Sequence, residues 1–289
     1  MLHIKYNQSM EKILSNFIKT SLQEDIRKGD ITSIACIDKK KRGKAKLIAK
    51  ESCIIAGLKI AKSIYHTVDN NLVFKPCVKD GQKIKKNDII FSISGNQQAI
   101  LASERLVLNC MQRMSGISTK TRKFVNKVKD LNVTILDTRK TCPSIRFIDK
   151  QAVKIGGAEN HRNGLYDAIM IKDNHSDFSG GVKQAISRCK NYLESNKIKN
   201  IPIIVESRNL QELKEIIQIG GVDRILLDNF SIEKTKKAVK IVNQKIPLES
   251  SGNISIKNVR EYALCGVNYI SIGSLTHSVK SIDLSMRCI

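Results

Sequence analysis

The sequence predicts an α/β protein of two domains, an α+β domain followed by a six-stranded parallel α/β barrel related to the TIM fold. Three observations predict it. Short strands and helices mix before about residue 132 of the 289, and a regular alternation follows. In that second half, six short apolar runs are separated by stretches of helical period. Each run is followed by charged or Gly/Ser residues, the pattern of barrel strands that end at a shared face.

Residues 9–26 carry Ile13, Leu14, Phe17, Ile18 and Leu22 at helical spacing, so an amphipathic helix opens the chain. Gly29-Asp30 and the basic run Lys39-Lys40-Lys41-Arg42 mark loops, and 45–56 reads as a strand. Asp80-Gly81 and Lys86-Asn87-Asp88 are turn signals bracketing short strands, the last of them IIFSIS before Gly95. Over 98–114 the helical period returns. Leu101, Leu108 and Met111 are its apolar positions, and Arg105, Asn109 and Gln112 form a polar stripe at i, i+4 and i+7. Apolar runs at 133–136, 168–171, 202–205, 225–227, 246–248 and 269–272 then read as strands, and 181–194, 209–219, 231–244 and 255–264 as helices. Strands alternating with helices make βαβ units and a parallel sheet. A closed barrel and an open doubly wound sheet both satisfy that pattern, although no Gly-x-Gly-x-x-Gly follows the first strand.

Composition narrows the class. The apolar fraction of 41% is ordinary for a globular protein. The N-terminal segment has no uninterrupted apolar core and no apolar run approaches bilayer length, so neither a leader nor a membrane span is expected, and the cytoplasm is the expected compartment. The eight cysteines are scattered without a Cys-x-x-Cys pair, which argues against a disulfide framework and a structural zinc site and for mostly buried apolar thiols. The net charge of +23 comes mainly from lysines spread along the chain, with aromatics at only 4%. A solvated basic surface fits this better than a nucleic-acid partner, which would want stacking residues.

The strand ends carry the chemistry. In order they are Asp137-Thr138-Arg139-Lys140, Lys172-Asp173-Asn174-His175, Glu206, Asp228-Asn229, Glu249-Ser250-Ser251-Gly252 and Gly273-Ser274-Leu275-Thr276-His277. Arg139, Lys140, Arg162 and Lys172 suit a ligand with several carboxylates or phosphates, arginine supplying the bidentate fork. Glu206 and Asp228 at neighbouring strand ends suit either Mg²⁺ bridging pyrophosphate oxygens or salt bridges to nearby lysines. Ser251-Gly252 and Gly273-Ser274 leave strands where helix N-termini are expected, near 255 and 278, a phosphate-binding arrangement. His161 lies in a Gly-rich loop beside Asn160 and Arg162, neighbours that favour a functional role.

The segments ASERLVLNCMQRMSGIST, LDTRKTCPSIR, KIGGAENHRNGLYDAIMIKDNH, RILLDNF, LESSGNIS and YISIGSLTHSV closely resemble the quinolinate phosphoribosyltransferase family, as does EDIRKGDIT near the start. The resemblance covers nearly the whole chain. It implies an open α/β sandwich domain at 1–115, a barrel catalytic domain at 116–275 and a C-terminal segment, 276–289, that returns to the first domain. It implies phosphoribosyl transfer from phosphoribosyl pyrophosphate to quinolinate with decarboxylation, giving nicotinate mononucleotide, and Mg²⁺ as cofactor. It also implies a homodimer, with a higher oligomer left open, in which Arg105 enters the partner's site. By the same resemblance Arg105, Thr138, Arg139, His161, Arg162 and Lys172 bind quinolinate. Lys140, Lys172, Glu206 and Asp228 are catalytic, the last two holding the metal. Ser251, Gly252, Asn253, Ile272, Gly273, Ser274 and His277 bind phosphate. The chain departs from the family at Ser144, Ala158 and Asn253, where glycine is common. A related phosphoribosyltransferase-like protein with another acceptor, either a molybdenum-transport-associated paralogue or a nicotinate-preferring enzyme, and a basic nucleic-acid-binding protein are the alternatives.

Overall fold

The computed structural model describes residues 2–289, with side chains from Glu11 onward; Met1 and the side chains of 2–10, on which the expectation about a leader partly falls, lie outside the described residues. In chain order the elements are α1 (Leu2–Asp25), α2 (Ile31–Cys36), β1 (Arg42–Ala49), β2 (Cys53–Ile54), α3 (Leu58–Val68), β3 (Val73–Pro76), β4 (Lys83–Ile84), β5 (Ile89–Asn96) and the long α4 (Gln97–Val128). Then come β6 (Thr134–Leu136), α5 (Arg146–Gly156), β7 (Ile169–Ile171), α6 (Asp173–Ser179), α7 (Val182–Ser195), β8 (Ile203–Ser207) and α8 (Leu210–Ile219). The last are β9 (Arg224–Asp228), α9 (Ile232–Val242), β10 (Leu248–Ser251), α10 (Val259–Leu264), β11 (Tyr269–Ser271), α11 (Ser274–His277) and β12 (Leu284–Cys288).

The chain forms two compact units, one of Met1–Lys120, Cys142–Gly156 and Val279–Ile289, the other of Thr121–Thr141 and Gly157–Ser278. The boundaries expected from sequence assign 116–120 and 142–156 to the barrel, whereas both belong to the first unit. The reason is chemical. Arg113 donates from Nε and a terminal nitrogen to the two oxygens of buried Asp149, each at 2.7 Å, and Ser118 Oγ donates to the Ala152 carbonyl at 2.7 Å, so α5 is tied to α4.

In the first unit an antiparallel sheet runs in the order β12-β1-β5-β3. Alternate residues of β1, Ala45, Leu47 and Ala49, are buried together with Phe91 and Ile93 of β5, as a sheet with one covered face requires. Tyr65 of α3, Phe74 and Phe91 stack with ring centroids 4.6 to 6.1 Å apart. β12 pairs with β1 from Ala45↔Cys288 to Ala49↔Leu284. The strand expected over 45–56 is broken at the polar residues 50–52, and β2 pairs with β4 in a separate ribbon. The helix expected over 98–114 continues to Val128. Buried Ser115 and Ser118 and the helical Gly116 hide its apolar period. A Cβ on Gly116 would sit 2.3 Å from the Lys280 carbonyl oxygen, so only glycine fits there.

In the second unit six parallel strands follow the order β6-β11-β10-β9-β8-β7. Neighbours in sequence are neighbours in the sheet from β7 to β11, and β6, the first strand, pairs with β11, the last. Strand series whose two ends meet have curled round, and here the hydrogen-bonded order ends at β6 and β7. β10 starts on the last residue of the expected run, Leu248, and extends three residues past it over Glu249-Ser250-Ser251, with Glu249 and Ser250 buried. α10 starts at Val259 rather than 255 because Asn258 Oδ1 accepts from the Ser255 N–H at 2.7 Å and holds a turn there. The last short helix, Ser274–His277, precedes its expected place near Ser278.

Two further points bear on function. Cys36, Cys77, Cys142 and Cys288 are exposed and only Cys53, Cys110 and Cys265 are buried, which corrects the expectation of mostly buried thiols. Among the described residues, no helix is long and apolar enough to cross a membrane.

Candidate active site

Parallel pairing brings all six strand ends of the second unit to one rim. A cavity of about 690 Å³ opens there, within the size range of small-molecule sites. Thr138, Arg139, Lys140, His161, Arg162, Lys172, Glu206, Asp228, Ser251, Gly252, Asn253, Ile272, Gly273, Ser274 and His277 all line it. Arg105 is exposed on the polar stripe of α4 and is not among the lining residues.

After β6, Thr138 Oγ1 accepts from the Lys140 N–H at 3.0 Å, closing a tight turn that presents Arg139 and Lys140. Thr276 Oγ1 donates to the Lys140 carbonyl at 2.9 Å, and Gly273 leaves room for Lys140, whose Cδ would lie 3.0 Å from a Cβ there. Among the described residues, Arg139 Nε is buried without a hydrogen-bond partner. Buried donors are seldom left so, and the exceptions ask for a functional cause. Burial, and then the Arg139 guanidinium, lower Arg162 from its ordinary value, although it remains a cation. The Arg162 guanidinium donates to the Ala168 carbonyl at 3.0 Å, which fixes its direction. Two guanidiniums that oppose each other electrostatically are arranged for an anion.

The His161 loop is held from beneath. Buried Asp137 accepts the His161 N–H at 2.7 Å, and His161 Nδ1 accepts the Arg162 N–H at 2.8 Å. His161 Nε2 lies 3.2 Å from Glu249 Oε2, and Arg224 donates to the same oxygen at 2.9 Å while stacking on Tyr269, 3.8 Å from its ring centroid. Burial alone would raise the Glu249 carboxyl, but bonds from His161, Ser271 and Arg224 outweigh it and hold that group below its ordinary value. Glu249 is thus an ionised support of the cavity floor. In the sequence it is one strand-end acid among several, and its complete burial, shared with Asp137, sets it apart from Glu206 and Asp228.

Lys172 Nζ donates to Glu206 Oε2 at 3.0 Å, so Glu206 adopts the salt bridge that competes with its metal role. Asp228 Oδ2 accepts from Asn229 Nδ2 at 2.9 Å. Among the described residues no group of three or more metal-ligating side chains occurs. Mg²⁺ takes one or two carboxylates and fills its octahedron with water and substrate phosphate, so the pair Glu206 and Asp228 fits it as a shared site rather than a protein cage. The loops after β10 and β11 bring backbone to the rim, Gly252 and Asn253 with φ of 92° and 52°, a conformation that suits an anion. Ser144 likewise takes φ 65°, so the serine keeps the left-handed backbone that glycine adopts without strain.

A curled parallel sheet whose rim gathers Arg139, Lys140, Arg162 and Lys172 with Glu206, Asp228 and Gly/Ser loops defines a class: α/β-barrel proteins with a strand-end site suited to multiply anionic small molecules. Comparison with known proteins makes this specific. The family model described as quinolinate phosphoribosyl transferase, C-terminal domain, matches residues 117–287, and its N-terminal counterpart matches residues 30–115. The chain is 40% identical to quinolinate phosphoribosyltransferase (decarboxylating) 2b, mitochondrial, of Nicotiana tabacum, over 95% of this chain and 82% of that protein. It is 38% identical to the probable nicotinate-nucleotide pyrophosphorylase (carboxylating) of Bacillus subtilis, over 96% and 92%. The solved structure of the nicotinate-nucleotide pyrophosphorylase from Francisella tularensis superposes with a TM-score of 0.90 at 38% identity, covering 96% of each chain. This chain belongs to the quinolinate phosphoribosyltransferase family.

Proposed function

We propose that the chain transfers the phosphoribosyl group of phosphoribosyl pyrophosphate to quinolinate, releasing pyrophosphate and carbon dioxide and leaving nicotinate mononucleotide. The observation that carries this is one cavity in which Arg139, Arg162 and Lys172 stand with Glu206 and Asp228. The guanidiniums of Arg139 and Arg162, with Lys172 and His161, hold the two carboxylates of the acceptor, and Thr138 shapes the turn that carries Arg139. Backbone of 251–253 and 272–274, with His277, holds phosphate.

The pyridine nitrogen then bonds to C1 of the ribose as the bond from C1 to pyrophosphate breaks, through a transition state with oxocarbenium character. Positioning of two anions and balance of the developing charge supply the catalysis, and no covalent nucleophile is needed. Lys140 lies beside the ribose and the leaving group. When bound, Mg²⁺ held by Glu206 and Asp228 neutralises charge on the departing pyrophosphate. The carboxylate beside the now-cationic ring nitrogen leaves as carbon dioxide, its bonding pair passing to the ring carbon and a proton from solvent replacing it.

Arg105 completes the acceptor site of a second copy of the chain, which makes the enzyme a homodimer. Its exposed place on the stripe of α4 with Asn109 supports this. The proposed compartment is the cytoplasm, supported by four exposed free thiols, which persist in reducing surroundings.

Incubation with phosphoribosyl pyrophosphate, Mg²⁺ and quinolinate is expected to yield nicotinate mononucleotide and carbon dioxide in equal amounts. Nicotinate, which leaves one of the site's cations without its carboxylate, is expected to react at least about a hundredfold less efficiently. No turnover of quinolinate, or equal use of both acids, would overturn the assignment.

A further inference from the structure

We propose that Asn253 is a positioning residue that fixes the carboxylate of Asp228 through the side chain of Asn229; the inference rests on the phosphoribosyl-transfer reading of the cavity. Asn253 Nδ2 donates to Asn229 Oδ1 at 3.1 Å, and Asn229 Nδ2 donates to Asp228 Oδ2 at 2.9 Å. The direction of this relay is chemically forced. An ionised carboxylate only accepts, so Asn229 must turn its amide nitrogen to Asp228, and its oxygen is left to accept from Asn253.

The backbone is built around the relay. Asn229 and Asn253 take φ of 54° and 52°, left-handed values that asparagine tolerates better than most residues. The Asn229 N–H donates to the Ser251 carbonyl at 2.9 Å, joining the two loops just beyond the pairing of Ser251 with Asp228. A Cβ on Gly252 would lie 2.1 Å from Asn229 Oδ1, so the glycine is the floor on which that amide rests. Beyond it, Asn258 Nδ2 donates to the Asn253 carbonyl at 3.2 Å and anchors the far side of the loop. Among the described residues only one oxygen of Asp228 has a protein partner, and Asn229 is that partner. Asp228 is thereby offered to a ligand through its other oxygen, in one rotamer. A glycine at 253 would supply the loop backbone but no donor, so the hold on Asp228 depends on the asparagine side chain.

The test is a double-mutant cycle with Asn253→Gly, Asn229→Gly and both together, since glycine keeps the left-handed backbone at each position. Two readouts are taken: the separate KM values for phosphoribosyl pyrophosphate and quinolinate, and the calorimetric affinity for inorganic pyrophosphate with Mg²⁺. Asn253→Gly is expected to raise the KM for phosphoribosyl pyrophosphate and to weaken pyrophosphate binding about threefold to tenfold, the size of one lost hydrogen bond. The KM for quinolinate and the melting temperature should not move. In the Asn229→Gly background the second change should add nothing. Costs that add in the double variant, an unchanged phosphoribosyl pyrophosphate KM, or an equal rise for quinolinate would each overturn the relay while the active wild type leaves the reaction standing. A wild type that neither turns over nor binds pyrophosphate would refute the reaction and the relay together.

Discussion

A carboxylate as deeply buried as that of Glu249 needs opposing charge, and here Arg224 donates to Oε2 with His161 Nε2 3.2 Å from the same oxygen. Its folded-state pKa is depressed below the ordinary 4.5. The stability it contributes is therefore present above that pH and is lost as pH falls through the folded value. Glu249→Gln is expected to cost about 3 kcal/mol at pH 7, because Arg224 loses its counter-charge. Denaturant unfolding should show that difference shrinking below about pH 4.5. A difference independent of pH would mean that Glu249 is not ionised in the native state. At this scale the sequence is readable wherever charge follows an apolar run, as at Arg139, Lys172, Glu206 and Asp228. It is silent on Glu249 and on the Asn229–Asn253 pair, because their roles come from burial and from contacts between separate strand ends.

Among elements, the short parallel strands and the helices α7, α8 and α9 are legible within a few residues, because each repeats one burial pattern. Two of the helices also carry caps: Asn209 and Ser231 accept N–H groups in the first turns of α8 and α9. α5 and the second half of α4 are not legible. Their buried faces mix Asp149, Lys150, Ser115, Ser118 and Thr121 with Ile117, Phe124, Val128, Ile148 and Val153, so polar residues interrupt the apolar stripe. Gly116 adds a helix-breaking signal whose cause is the Lys280 carbonyl packed against it. Gly116→Ala, which would raise intrinsic helix propensity, is instead expected to destabilise the protein by about 2 kcal/mol or more through overpacking. Thermal unfolding measures this. A stabilised variant would show that the C-terminal segment does not press on α4.

For the molecule as a whole, the alternation of strands and helices makes a parallel sheet legible, but not its curling, which depends on β6 meeting β11 across the length of the unit. The first unit is assembled from three stretches far apart in sequence, and no local pattern announces that. The net charge of +23 is likewise ambiguous by itself. What gives it meaning is the convergence of four of its cations on one cavity, where Arg139 Nε is left without a partner among the described residues. Steady-state kinetics of Arg139→Ala test that convergence most directly, with quinolinate and phosphoribosyl pyrophosphate varied in turn. The KM for quinolinate is expected to rise about a hundredfold or more while that for phosphoribosyl pyrophosphate changes little, as loss of a half-buried guanidinium facing a carboxylate requires. Both constants near wild type would contradict it.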